Sequence, residues 1–305
     1  MFKPKALKQG NRIALVAPSS PVSEEKMKLA LESVQFLGLV PVKYPSCSMK
    51  NGYLSGPDIV RAKDINNSFI DSSIDGIFCL RGGYGATRIL PLLDYKMIKK
   101  NPKVFLGYSD ITALHTVINK FCGFTTIHAP MPSTGYHIMD YFSLRSLSDT
   151  LFCEKPVGFA PIPDNEPIEI IYPGITEGII TGGNLSVLVS TLGSRYEIDT
   201  KGKILFIEDV DERPYQVDRS LTALALAGKF DDCSGIILGT FADCEETELP
   251  EEETLTLSQI FNQVLHPFKK PTINNFRAGH IYPQVSIPMG VKTRLDAFNG
   301  TVEFL

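Results

Sequence analysis

The sequence predicts an α/β protein whose first half is a parallel sheet covered by helices on both faces. Two observations carry that reading. Short apolar runs alternate with stretches whose apolar residues recur three or four apart, as in strands joined by crossover helices. Turns rich in glycine or serine close those runs, where open α/β sheets place their ligands. A chain of 305 residues, 43% hydrophobic and 21% charged, has ordinary globular composition and the length for one large or two medium domains.

Taken in order, Arg12–Ala17 is a short β run that stops at Pro18-Ser19-Ser20-Pro21. Met27, Leu31, Val34 and Leu37 then mark one helix face, with Gly38 as its C-terminal stop. Leu39–Tyr44 is a second strand, and Ile59, Ala62, Ile65 and Phe69 mark a second helix. Ile74–Leu80 is a third strand, entering the turn Arg81-Gly82-Gly83-Tyr84-Gly85. Val104–Leu106 is a fourth, followed by a helix with Ile111, Leu114, Ile118 and Phe121 on one face. This is the alternation of a Rossmann-like or flavodoxin-like N-terminal domain, with expected bounds 1–155. Residues 156–175 carry prolines 156, 161, 163, 167 and 173, which break helices and cannot donate to a ladder, so a linker is expected there. A second domain, 176–305, opens on Ile179–Leu185. It continues with strand Lys203–Ile207, a helix carrying Val217, Leu221, Leu224 and Ala225, strand Gly235–Gly239, and a short strand at Thr272–Ile273.

A net charge of −4 and a pI near 5.8 offer no bulk attraction to nucleic acid or an anionic membrane, so neither partner is expected. No apolar run approaches the roughly 20 residues that span a bilayer. The basic N-terminus shows no long apolar segment before the first strand, so a cytoplasmic protein is expected. The six cysteines are scattered without C-x-x-C, as reduced thiols rather than disulfides or a zinc site. With no H-E-x-x-H and no EF-hand spacing, neither a metal nor another cofactor is expected.

The join Gly107-Tyr108-Ser109-Asp110 admits two readings. Ser109 or Asp110 could cap the following helix, as both residue types prefer to do. Alternatively Ser109 is a nucleophile on a sharp strand-to-helix turn, with the Asp110 N–H aimed at an oxyanion. A nucleophilic serine needs a base and an orienting acid. Of the histidines, His115 lies more than one turn along the helix, His266 sits in a polar stretch, and His128 suits a core or loop. His280, after Ala278-Gly279, can be aimed into a cleft by the backbone turn. Glu208 ends an apolar strand as an orienter should, although Glu208 to Glu212 also read as a solvated acidic loop. The Arg81–Gly85 turn could cradle phosphate, but Arg88 stands where helix packing needs a small residue. Close approach of its N–H groups to a reacting carbonyl suits it better.

Six motifs occur in order: RGGYG at 81–85, GYSD at 107–110, HAP at 128–130, GGNL at 182–185, IEDVDE at 207–212 and AGH at 278–280. Together they resemble the LD-carboxypeptidase family of serine peptidases, which cleave murein tetrapeptides. The resemblance implies a triad of Ser109, Glu208 and His280, with Asp110 and either Gly82 or Gly83 supplying the oxyanion N–H groups. It implies an N-terminal α/β domain carrying the serine and a second α/β domain, with a β-rich part, carrying the other two. Arg81, Tyr84 and Asn184, within these motifs, are expected to touch substrate. Arg81, Arg88 and Arg277 are the cationic candidates for the substrate carboxylate. The family is usually homodimeric, and its place is peptidoglycan recycling.

Two alternatives remain beside this one. Similar family members hydrolyse microcin-type peptide–nucleotide antibiotics and use an aromatic side chain, often Trp, against the base. This chain has no Trp, though Tyr or Phe can also stack. A non-enzymatic binding protein on the same fold is the other. The acidic stretch 243–253, with Asp243, Glu245, Glu246 and Glu248, is expected to be a solvated loop rather than a lid.

Overall fold

The computed structural model describes residues 1–247 and 249–305, so Glu248 of the acidic stretch lies outside the described residues. The chain forms two compact units, one of Met1–Lys155 with Ser286–Gly290, the other of Pro156–Val285 with Val291–Leu305.

The first unit is built on β1 (Arg12–Val16), β2 (Val40–Lys43), β3 (Gly76–Cys79), β4 (Val104–Gly107) and β5 (Thr126–His128). All pair in parallel in the order β5-β4-β3-β1-β2, the flavodoxin-like order. Their apolar runs, such as Ile13–Val16 and Ile77–Leu80, are almost fully buried, as strands covered on both faces must be. The helix Glu24–Phe36 starts where the Ser23 hydroxyl accepts the Lys26 N–H at 3.2 Å, with Glu24 and Glu25 favourable to the helix dipole. Gly38, at φ 74°, follows it. The helix after β4 is less regular than its periodicity suggests. A 3₁₀ turn (Ser109–Ile111), an α segment (Thr112–Val117) and a π segment (Ile118–Cys122) succeed one another.

The second unit holds β6 (Gly158–Phe159), β7 (Glu169–Tyr172), β8 (Ile175–Asn184), β9 (Lys203–Val210), β10 (Gly235–Ala242) and β11 (Thr272–Asn274). The chain then returns to the first sheet as β12 (Ile287–Met289), antiparallel to β5, before β13 (Lys292–Asp296) and β14 (Thr301–Phe304) complete the second. The second sheet runs β6-β14-β13-β8-β9-β10-β11-β7, with β8 to β11 parallel and the flanking strands antiparallel. Helices Leu185–Ser190, Pro214–Leu226 and Leu257–Leu265 bury Leu188, Leu221 and Ile260 against Leu205, Ile207 and Leu238.

Residues 156–175 are therefore more than the expected linker, since they supply both outer strands of the second sheet. Their prolines flank β6 and β7 without entering either, and edge strands tolerate missing donors best. The same rule explains β12, a strand containing Pro288 at the edge of the first sheet. The six cysteines are free thiols, and all but Cys153 are buried.

Ile287, fully buried and paired with His128, makes the late strand part of the first unit's core. Ile287→Ala is expected to lower unfolding free energy by about 2–5 kcal/mol in urea titration, the cost of emptying a packed core site. An unchanged midpoint would make residues 286–290 an accessory tail.

Candidate active site

Ser109 follows the end of β4 with φ 63°, in the left-handed region that side-chain-bearing residues avoid. It is not a helix cap. The cap position is Tyr108, in extended conformation, and it makes no side-chain cap hydrogen bond. Nor does Asp110 cap its own helix. Its buried carboxylate reaches across to two other turns, where Oδ2 accepts from Ser19 Oγ at 2.5 Å and Ala86 N at 2.8 Å. Burial raises the Asp110 pKa, and those two donors and the Arg61 charge pull against it. Gly82 lies against the serine, for a Cβ there would sit 2.7 Å from Ser109 Oγ and 3.3 Å from the Asp110 nitrogen. Only glycine allows that approach. Gly83, at φ 97°, instead backs onto Ser20.

In the second unit, the strand period of two decides the fate of the acidic run. Leu205 and Ile207 face the helices, so Asp209 points there too. Its carboxylate accepts from Ser186 N at 3.0 Å, Ser186 Oγ at 2.7 Å and Asn184 Nδ2 at 2.7 Å. Glu208 points to the opposite face, is fully buried, and accepts from His280 Nδ1 at 2.8 Å. These two acids are buried in β9 rather than solvated in a loop. A carboxylate on Nδ1 fixes the tautomer that leaves Nε2 as the basic nitrogen. Burial pushes the Glu208 pKa up, partly opposed by His280. For His280, burial alone pushes down, but the hydrogen bond and charge of Glu208, aided by Asp209, prevail and raise it above 6.5.

The turn bearing His280 is tightly held. Thr240 donates to the Ala278 carbonyl through its N–H at 3.0 Å and its hydroxyl at 3.1 Å. Gly279 has φ 122°, and a Cβ there would meet Glu208 Oε2 at 2.7 Å and Thr240 Oγ1 at 3.0 Å.

The remaining candidates divide. Asn184 is buried, caps Leu185–Ser190 through Val187 N at 3.2 Å, and pairs in register with Glu208, so it supports the acids. Tyr84 is 49% exposed, with its ring 5.8 Å from that of Tyr53. Arg88 is held by Asp58 at 2.9 Å and Arg277 by Glu166 at 3.4 Å. Arg81 is exposed, donates to the Pro21 carbonyl at 3.2 Å, and makes no ion pair among the described residues. His115 is buried on the Gly107 carbonyl at 2.9 Å, and its burial lowers it to about 4. His128 is buried in β5, with the Tyr108 ring 5.8 Å away, and His266 is exposed. Sequence reasoning missed Ser19 and Arg61. The Ser-Ser between two prolines was the available signal for the first, and nothing local marks the second.

Two family models match this chain, the LD-carboxypeptidase N-terminal domain over residues 13–129 and the LD-carboxypeptidase C-terminal domain over 177–295. The chain belongs to the LD-carboxypeptidase family. A relative from Bacillus subtilis, a probable murein peptide carboxypeptidase, is 38% identical over 98% of this chain and 93% of its own. Among solved structures of this architecture, an MccF-like protein from Bacillus anthracis matches with TM-score 0.88 at 26% identity, covering 100% of this chain and 99% of that one. The muramoyltetrapeptide carboxypeptidase from Oxalobacter formigenes matches with TM-score 0.83 at 25% identity, covering 96% and 97%.

Gly279→Ala puts a methyl group into the Glu208–His280 contact. Displacing a reacting group by about 1 Å costs on the order of 100-fold in rate, so kcat/KM of the folded variant should fall by about that factor, and the positive φ should lower the thermal midpoint as well. Equal activity in the two proteins would mean that this turn does not set the site.

Proposed function

We propose that this LD-carboxypeptidase family member releases the terminal D-alanine of murein tetrapeptides through a Ser109–Glu208–His280 triad. The observation that carries the mechanism is the 2.8 Å contact from His280 Nδ1 to a fully buried Glu208. The names of the Bacillus subtilis and Oxalobacter formigenes proteins support the substrate. Ser109 Oγ attacks the carbonyl of the residue before the D-alanine as His280 Nε2 takes its proton. The Asp110 N–H and an N–H of the Gly82-Gly83 turn receive the oxyanion. Collapse breaks the peptide bond, and His280 returns the proton to the departing amine. Water, deprotonated by His280, then frees the tripeptide from the serine ester. Glu208 holds the imidazole tautomer and stabilises the imidazolium. Work in peptidoglycan recycling by a cytoplasmic homodimer belongs to the same proposal. The six free thiols fit a reducing compartment.

A second reading, hydrolysis of a peptide–nucleotide conjugate, is favoured by the exposed Tyr53–Tyr84 pair, which offers a base two ring faces. Rates on the two substrates compared directly decide between them, and the murein tetrapeptide is expected to be the faster.

D-alanine release from L-Ala-γ-D-Glu-meso-diaminopimelate-D-Ala should be seen with the native protein and lost in folded Ser109→Ala. Equal release by both would end the triad reading. The pH profile tests the other two members. A base must be neutral, so kcat/KM should rise with pH through a midpoint above 6.5, where Glu208 holds His280. Glu208→Gln removes what raises that histidine. Its midpoint should move to lower pH while the rate falls on the order of 10³–10⁴-fold, and an unmoved midpoint would remove Glu208 from the mechanism.

A further inference from the structure

The strand order of the first unit reverses between β1 and β3, so the loops leaving those two strands diverge, which is where open α/β sheets bind ligands. The β1 loop carries Pro18-Ser19-Ser20, and the β3 loop carries the glycine turn. Two buried charged residues, Arg61 and Asp110, join them to the Ser109 turn through the backbone between them. Arg61, on the helix Asp58–Ile70, is fully buried, as few arginines are. Its Nη1 donates to the Pro18 carbonyl and, at 2.9 Å, to the Gly85 carbonyl, and its Nη2 donates to Asp58. The two carbonyls belong to the residues just before Ser19 and Ala86, the two donors to Asp110.

The Gly85–Ala86 peptide therefore lies between opposite charges, its C=O on the guanidinium and its N–H on the carboxylate. The Pro18–Ser19 segment makes a second such link, through the Pro18 C=O and the Ser19 hydroxyl. Buried charges are tolerated only when compensated in this way, and each group holds the others in place. Ser20 extends the lock. Its N–H donates to the Gly82 carbonyl at 3.2 Å, and its hydroxyl accepts the Tyr84 N–H at 3.2 Å.

We propose that Ser19 is a positioning residue for the oxyanion site: its hydroxyl holds the Asp110 carboxylate, and so the Asp110 N–H, against a glycine turn that Arg61 locks to the same loop. The inference rests on the serine mechanism proposed above, whose acylation and deacylation steps both form an oxyanion at this site. Removing the Ser19 hydroxyl takes away one of the two donors that hold the Asp110 side chain and so loosens the peptide that precedes it, while the substrate's remote contacts stay in place. The loss thus falls on kcat.

The test is Ser19→Ala beside Ser19→Cys, which keeps a side-chain donor, larger and weaker than the hydroxyl. D-alanine release gives kcat and KM, and the rate of inactivation by a fluorophosphonate reads serine reactivity whatever the peptide. Expected for Ser19→Ala are a kcat lower by roughly 10- to 100-fold, a KM within about threefold, and a similar drop in inactivation rate. Ser19→Cys should lie between this variant and the native protein. Native kcat and inactivation rate in Ser19→Ala, even with a lowered thermal midpoint, would overturn the inference and leave Ser19 a purely structural residue. A native protein that the fluorophosphonate does not label would overturn the serine mechanism and this inference with it. Labelling without D-alanine release would put the fault in the substrate, and the inactivation rates alone would then decide on Ser19.

Discussion

The left-handed backbone at Ser109 costs on the order of 1–3 kcal/mol, and such strain persists only where the surroundings over-determine it. Several buried polar groups of the first unit meet that demand. β4 delivers Ser109 at its end, and the Gly107 carbonyl there is taken up by Ala129 N and His115. The next side chain, Asp110, is tied to two neighbouring loops, so the serine turn cannot relax to an ordinary helix start without breaking buried bonds. Gly82 leaves the only shape of wall that tolerates a serine so close. The strain is thus held by the polar contacts of three loops and by the absence of one methyl group.

In the second unit a carboxylate takes the place of strain. Glu208 and Asp209 are adjacent, both buried, and would repel if they shared a face. The strand pleat sends them apart, and each meets its own donors: His280 for one, Ser186 and Asn184 for the other. One acid orients a histidine, and the other fixes the start of a helix. The division follows from strand parity alone, and it explains why a run of four acids in five residues contains one partner for an imidazole.

Much of this was legible in the chain. Apolar periodicity marked β1, β3, β4, β9 and β10 because buried parallel strands are apolar throughout. Motif order pointed to Ser109, Glu208 and His280 because the first and last lie in short glycine-bearing turns and Glu208 heads an acidic run that follows an apolar strand segment. What escaped was non-local or disguised. β6, β7 and β12 are edge strands whose prolines read as breakers. Arg61 sits next to Ala62 on a helix and looks like any surface arginine until the fold wraps two loops around it. Ser19 meets Asp110 from 91 residues away, and no local pattern encodes that bond.

The same contrast bears on which arginine could meet a carboxylate. From the sequence, Arg81, Arg88 and Arg277 are equivalent. In the structure, Arg88 is held by Asp58 through three hydrogen bonds, and Arg277 is largely buried on Glu166. Recruiting either would mean breaking an existing charge pair and leaving its acid exposed to the incoming anion, a repulsive exchange. Among the described residues Arg81 is bound to a neutral carbonyl and to no acid, is exposed, and sits one residue before the Gly82 that touches Ser109. Exchanging a carbonyl for a carboxylate strengthens its hydrogen bond and leaves no charge behind. Electrostatics therefore ranks Arg81 first, and its place on the same rigid turn means that a carboxylate bound there would be held in fixed register with the serine.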